Sequence, residues 1–287
     1  MVNALTVDVE EYFCYAYPGD TLSREEWAEL ESRAVPHTLE TLSILEQHGI
    51  RATFFVLAWV AERDPLLVRE IKARGHEIGS HGYAHQPVCD QSPDEFRDDV
   101  KRSIDVLSDI TGEMPVGYRA PSFSINSTCR WALDILAELG FRYDSSLYPV
   151  RMRHYGAPDE LAEPHVLDSG MWEFPAATVR LAGIQMPFGG GGYLRLYPFV
   201  VTRWATHRMN AAGRPAMVYL HPWELDPYPP AGPRSRLHRF QHSVGLAKTR
   251  SRLLHLCAEF DFAPIGDVIR RLEEEGTSGD LGVAAAK

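Results

Sequence analysis

The chain has 287 residues, with 29 Lys and Arg against 39 Asp and Glu, for a net charge of −10. Hydrophobic residues make up 45% and charged residues 24%, the balance of a folded chain with a large core. The acid excess argues against a general nucleic-acid binder, which needs an electropositive footprint.

Elements are expected in the following order. Residues 4–9 form a buried apolar strand, and residues 27–46 have helical periodicity, ended by His48-Gly49. Residues 52–59 are a β-rich apolar strand, 65–74 a helix stopped by Gly75, and 76–79 a short strand. Ser92-Pro93-Asp94-Glu95 combines an N-cap, a first-turn proline and a capping-box acid, so a helix runs from there to about Ile110. Residues 115–119 and 141–144 read as strands around a 127–139 helix. Short strands follow over 166–174 and 178–184, then a helix over 199–211 and a strand over 216–221. Helices over 248–259 and 267–275 complete the series. The Gly189–Gly192 run is expected to hold no regular element and to form a tight loop. Alternation of strands and helices implies a parallel sheet in one domain over residues 1–275, with a frayed tail over 276–287.

Four cysteines, Cys14, Cys89, Cys129 and Cys257, are far apart and read as buried thiols, without a zinc knuckle or a disulfide scaffold. The first residues lack the basic and apolar regions of a signal peptide, and the longest apolar stretch, residues 54–61, is too short to span a membrane. A cytoplasmic location is expected.

Polar residues able to do chemistry sit where strands end, the position of sites in parallel α/β folds. Asp8 and Glu10 share a face by the period of two, on a strand that is otherwise apolar. Two buried carboxylates side by side call for a cation or a proton between them. His81 and His85 at i and i+4 could share a metal on a helical turn. Chance alone gives about 0.5 such pairs in this composition, and His238 with His242 is a second one. His81 follows a strand, whereas His238 and His242 lie in a basic, loop-rich stretch and read as solvated surface. Arg119 ends a strand and could orient a carboxylate through a forked hydrogen bond. Asp144 and His221 also close strands, and Glu173 is a weaker case of the same kind.

These segments, with Gly117-Tyr-Arg-Ala-Pro-Ser-Phe-Ser124, Tyr143-Asp-Ser-Ser146, Gly189-Gly-Gly-Gly-Tyr193 and Tyr219-Leu-His-Pro-Trp-Glu224, resemble the polysaccharide deacetylase family, carbohydrate esterase family 4. They are most similar to its exosortase-associated members. The resemblance runs from Leu5 to about Arg270. It implies a distorted (β/α) barrel with fewer than eight complete repeats. It implies one divalent metal ion, zinc foremost, held by a carboxylate with His81 and His85. By position it makes Asp8 the base, Arg119 its orienting partner, His221 the acid and Asp144 the residue that tunes His221.

The family's first motif has two adjacent Asp residues, but here Asp8 is followed by Val9, which cannot bind metal. Glu10 could take the ligand's place. The reverse assignment, Asp8 on the metal and Glu10 as base, stays open, as does metal binding itself.

The activity implied is removal of N-acetyl groups from an amino sugar in a polysaccharide or glycolipid precursor of exopolysaccharide biosynthesis. Phe123, Tyr193 and Trp223 could offer the sugar an apolar surface. An amidohydrolase acting on a small cyclic amide or ureide, with or without metal, is the alternative. A silent carbohydrate-binding module is a third reading, disfavoured by the combined presence of His81, His85, Arg119 and His221. The segment 234–252 carries Arg234, Arg236, Arg239, Lys248, Arg250 and Arg252 without an acid, and could touch a membrane or anionic lipid.

Overall fold

The computed structural model describes residues 1–14, 22–151, 156–230 and 236–276. Its strands are β1 (Asn3–Val9), β2 (Thr53–Val56), β3 (Glu77–Ser80), β4 (Gly117–Tyr118), β5 (Tyr143–Asp144) and β6 (His165–Val166). They continue with β7 (Trp172–Glu173), β8 (Thr178–Leu181), β9 (Ile184–Pro187), β10 (Met217–Leu220) and β11 (Phe262–Ala263). Nine of them form one sheet in the order β10-β1-β2-β3-β4-β5-β7-β6, with β11 joined to the start of β1. Pairing in that sheet is parallel except between β6 and β7. The sheet curls into a distorted (β/α) barrel, open between β6 and β10 among the described residues. β8 and β9 form a separate hairpin.

β1 explains why the sequence there looks uniformly buried. Leu5, Val7 and Val9 pack outward on the helix layer with Leu45, Phe54 and Val56. Ala4 faces the barrel interior with Phe55, Met217 and Tyr219. The period of two puts Thr6 and Asp8 on that inner side as well. Each fully buried Leu or Val contributes about 1.5–3 kcal/mol, which anchors the strand and with it Asp8.

Local signals set several boundaries as expected. Ser92 and Glu95 form the reciprocal capping box of the Pro93–Thr111 helix, with Ser92 N donating to Glu95 Oε2 at 2.8 Å and Glu95 N to Ser92 Oγ at 3.3 Å. Gly112 ends that helix at φ 77°, a left-handed backbone that suits glycine.

Other expectations are corrected. The single helix over 27–46 is two helices, Arg24–Ala28 and Ala34–Gln47. Glu11 makes the break: its carboxylate accepts from Arg33 N and Ala34 N, capping the second helix from another part of the chain. Leu39 on that helix is exposed. The strand over 52–59 is only β2, and a helix, Ala58–Arg63, takes up the rest. The 166–174 strand is the β6–β7 pair, and the 178–184 strand is the β8–β9 hairpin.

The glycine run does enter a regular element, because the Gly191–Leu196 helix starts within it. Gly190 is bridged to Tyr219, and a Cβ there would lie 2.1 Å from the Tyr219 carbonyl oxygen. Gly189 and Gly190 are therefore required by close backbone approach to β10. A further helix, Arg236–Ser243, lies in the stretch read as loop. Cys14, Cys129 and Cys257 are buried, but Cys89 is half-buried. The tail from residue 277 lies outside the described residues.

Candidate active site and metal centre

The ends of β1, β3, β4 and β10 bring six of the expected residues to one place. Asp8 lies in the barrel interior and is almost fully buried. Arg119, just after β4, is wholly buried and donates from Nη1 to Asp8 Oδ1 and to Thr6 Oγ1, each at 2.7 Å. Its Nε donates to the Ser145 carbonyl at 3.1 Å and its Nη2 to Ser145 Oγ at 2.9 Å. Its guanidinium carbon sits 4.2 Å from the centre of the Phe55 ring. A buried guanidinium with every arm engaged holds the Asp8 carboxylate in one orientation.

Glu10 belongs to a different set. It follows β1 by one residue, with its backbone N turned back to the Asp8 carbonyl at 3.1 Å. Its Oε2 lies 2.5 Å from His85 Nε2 and 3.5 Å from His81 Nε2. One ligand atom from each of Glu10, His81 and His85 fits within 4.8 Å of the others, and all three residues are buried. Burial alone would raise the Glu10 pKa, but the imidazoles of His85 and His221 outweigh it and hold the carboxyl well below its usual range.

This donor set fits a divalent cation. His81 Nδ1 lies 2.8 Å from the Arg119 carbonyl oxygen. That partner can only accept, so Nδ1 carries a proton, and in the neutral ring that a metal ligand requires Nε2 presents its lone pair to the Glu10 side. A lone pair facing a carboxylate in a buried site is unfavourable unless a cation lies between them. His85 Nδ1 is buried and has no hydrogen-bond partner among the described residues.

The two histidines do not share a helical turn. They sit on the loop after β3, and His85 reaches the left-handed region at φ 51°. Asp99 clamps this loop, accepting from Tyr83 N at 2.8 Å and Ala84 N at 2.9 Å. Ser122 and Phe123, in the turn after Arg119, also have positive φ, at 55° and 51°. Such residues cost about 1–2 kcal/mol each and persist only where the surroundings over-determine them.

His221, after β10, faces both carboxylates. Its Nε2 is 3.6 Å from Glu10 Oε1 and 4.0 Å from Asp8 Oδ2. Its side chain is 19% exposed, against 2% for Asp8 and 9% for Glu10, so His221 forms the mouth of the site. Burial lowers its pKa, but the charges of Glu10, Glu224 and Asp8 raise it to about 9.

The carboxylate beside His221 Nδ1 is Glu224, not Asp144. Glu224 Oε2 lies 3.4 Å from that nitrogen and accepts from His221 N at 3.0 Å. Asp144 is wholly buried and accepts from Ser146 N and Ser146 Oγ. Its next neighbour is Glu173, the residue beside it in register on β7. Burial, then the Asp144 charge, push Glu173 well above the usual carboxylate range. Glu224 could have been found from the sequence: Pro222 starts a helical turn after His221, and a residue three positions on folds back over it.

The three aromatic residues differ in placement. Trp223 is buried, with the His221 ring stacked at 5.5 Å between centres and the His242 ring at 4.0 Å. It supports His221 and offers a sugar no open face. Phe123 is buried against Tyr148 and Tyr219, behind Arg119. Tyr193 is half-buried on the helix that follows the glycines. His242, expected on a solvated surface, is buried, with Nε2 at 2.9 Å from the Tyr12 carbonyl oxygen. The His238 side chain lies outside the described residues.

Comparison with known proteins places this geometry in a family. Residues 31–143, which include His81, His85 and Arg119, match the family described as Polysaccharide deacetylase. Residues 145–270, which include His221 and Glu224, match one described as Domain of unknown function (DUF3473). A peptidoglycan-N-acetylglucosamine deacetylase of Bacillus cereus is 30% identical over 131 residues, 43% of this chain and 46% of that protein. The chain spans less than half the length of such curated relatives. A solved structure from Mycobacterium smegmatis assigned to the polysaccharide deacetylases superposes with a TM-score of 0.63 at 22% identity, covering 95% of this chain and 90% of that one. The allantoinase PuuE superposes with a TM-score of 0.59 at 19% identity, covering 94% and 89%. At these identities the two structures bear on the fold alone. The chain carries a polysaccharide deacetylase domain of carbohydrate esterase family 4, followed by a region consistent with the exosortase-associated type.

Proposed function

We propose that this protein is a metal-dependent hydrolase that removes N-acetyl groups from an amino sugar of a glycan or glycolipid precursor. One observation carries the reading: a carboxylate–arginine pair, Asp8 with Arg119, and a carboxylate–imidazole set, Glu10 with His81 and His85, meet at His221 Nε2. A base, a ligand set and an acid are what amide hydrolysis with an amine leaving group requires.

A divalent cation held by Glu10, His81 and His85 would supply Lewis acidity to the acetyl carbonyl and to water. Asp8, fixed by Arg119, accepts the proton of the attacking water. His221, whose imidazolium form is favoured by the carboxylates around it, holds a proton at Nε2 and delivers it to the departing amine nitrogen. Water adds, the C–N bond breaks, and acetate and a free amine leave. Arg119 favours Asp8 as base, since a carboxylate tied to a guanidinium is the less available ligand. Glu10, close to both imidazoles, then replaces the missing second Asp of the family motif.

Zinc is the expected ion, and the expected setting is exopolysaccharide synthesis in the cytoplasm. Among the described residues no helix is long and apolar enough to cross a membrane. Contact with anionic lipid through segment 234–252 would rest on fewer cations than the sequence suggests. Arg252 is buried and donates to the Leu194 carbonyl, and Arg250 is bound to Glu40. Arg239 and Lys248 are exposed, and Arg234 lies outside the described residues.

The test is to load the chain with zinc and measure acetate released from N-acetylated chitooligosaccharides. Release that stops on chelation and returns with metal supports the reading. Hydrolysis of a small cyclic amide without metal, and none of acetylated sugars, would replace it with the amidohydrolase.

A further inference from the structure

His221 has a second buried ion pair behind it, built from residues outside the family-derived set. Arg195 lies in the Gly191–Leu196 helix, and its Nε donates to Glu224 Oε1 at 2.7 Å. Its Nη1 donates to the carbonyls of His242 and Val244, at 2.9 and 2.8 Å. Both side chains are almost fully buried. Glu224 Oε2 accepts from the His221 backbone N at 3.0 Å and lies 3.4 Å from its Nδ1, an ion-pair contact to a nitrogen that makes no aligned hydrogen bond among the described residues.

The glycine run explains how Arg195 gets there. Gly189 and Gly190 lie directly on β10, with Tyr219 N donating to the Gly189 carbonyl at 2.9 Å. The helix that follows is thereby docked two residues before His221, and its arginine reaches the interior. The arrangement mirrors the other side of the imidazole: Arg119 holds Asp8 toward Nε2, and Arg195 holds Glu224 toward Nδ1.

We propose that Glu224 and Arg195 are a positioning pair for His221, with Glu224 keeping the remaining proton at Nδ1 once Nε2 has given up its own, and Nε2 turned to the site. Resting on the deacetylase reading, this gives Glu224 the place that family position assigns to Asp144. Asp144 is occupied by Ser146 and Glu173. A carboxylate at Nδ1 selects one tautomer and one ring orientation, and removing such a group can cost about 10⁴ in turnover while leaving the geometry intact. An ion pair that only staples the helix to the turn would not act in this way.

The experiment uses the zinc-loaded full chain and the variants Glu224→Gln, Arg195→Met and the double variant. The double variant leaves no buried charge unpaired, so it is the one expected to fold if a single variant does not. Two readouts are taken: kcat and KM for acetate release from N-acetylchitotetraose, and the His221 tautomer by ¹⁵N NMR in metal-free protein at pH above its titration. We expect kcat to fall by at least about 100-fold in Glu224→Gln and in the double variant, with KM within about threefold. We expect the Nδ1–H tautomer to be lost in both. A folded double variant with wild-type kcat and an unchanged tautomer would overturn the proposal. Should the wild-type chain release no acetate, the deacetylase reading fails by itself, and the tautomer still decides whether the pair positions His221.

Discussion

Asp8 and Glu10 are separated by one residue, yet their carboxylates answer to different partners. Asp8 Oδ1 is bound by Arg119 at 2.7 Å, and Glu10 Oε2 lies 2.5 Å from His85. The site thereby solves the problem of two buried acids by giving one a guanidinium and the other an imidazole pair.

From this division, Asp8→Asn is expected to retain stoichiometric metal while losing at least about 10²-fold in turnover, the usual size of a lost general base. Glu10→Gln is expected to lose the metal. Metal analysis and acetate release on both purified variants check this; the opposite pattern would exchange the two roles.

Asp99 is expected to support the metal centre without touching it. Its carboxylate fixes the backbone of Tyr83 and Ala84, between the two histidines. In Asp99→Asn one oxygen becomes a donor and cannot accept from both amides. Metal affinity should fall about 10-fold or more, as for lost supporting partners of metal ligands. Competition with a chelator measures it, and unchanged affinity would show that the loop holds itself.

Gly190→Ala is expected to be severely destabilising. The added Cβ would meet the Tyr219 carbonyl oxygen, and β10 is buried along its whole length against β1. A loss of about 3 kcal/mol or more follows from such overpacking against backbone. Gly192→Ala serves as the control, since nothing lies within 4 Å of its added carbon. Thermal or urea unfolding of the two variants gives the comparison.

Stability should also carry a signature of His76. Burial, then the nearby charges of Arg74 and Arg51, lower its pKa to about 4 from the ordinary 6.5. Its Nδ1 accepts from Ala52 N at 3.1 Å, a bond that needs the unprotonated nitrogen. The unfolded chain takes up a proton below pH 6.5 and the folded one resists until about 4, so this contribution is present above 6.5 and is lost as pH falls toward 4. Urea unfolding from pH 7.5 to 4.5 should show the decline. His76→Asn, which keeps an acceptor without a titrating ring, should flatten it.

Local physics made much of the scaffold legible. The Ser92–Glu95 capping box set the start of a 19-residue helix. The apolar run at residues 4–9 identified β1, because a strand buried on both faces has no polar side to display. The motif residues Asp8, Glu10, His81, His85, Arg119 and His221 were also legible, since each stands at the end of a strand or just beyond it.

Other features depend on distant chain. The break between the Arg24–Ala28 and Ala34–Gln47 helices is made by Glu11, whose reach to Arg33 and Ala34 leaves no mark in the helix's own residues. His81 and His85 looked like a helical pair by spacing, but their approach depends on a loop clamped by Asp99. Trp223 and His242 looked available or solvated, and they are stacked on each other.

By itself, the sequence determined the alternation of strands and helices and the polar residues at the strand ends. Those follow from short-range periodicity, capping and turn chemistry. Only the tertiary structure decided which carboxylate meets which cation. It paired Asp8 with Arg119 across 111 residues, and Glu224 with Arg195 across 29. The energy of a buried charge depends on its nearest opposite charge in space, and chain order does not specify that neighbour.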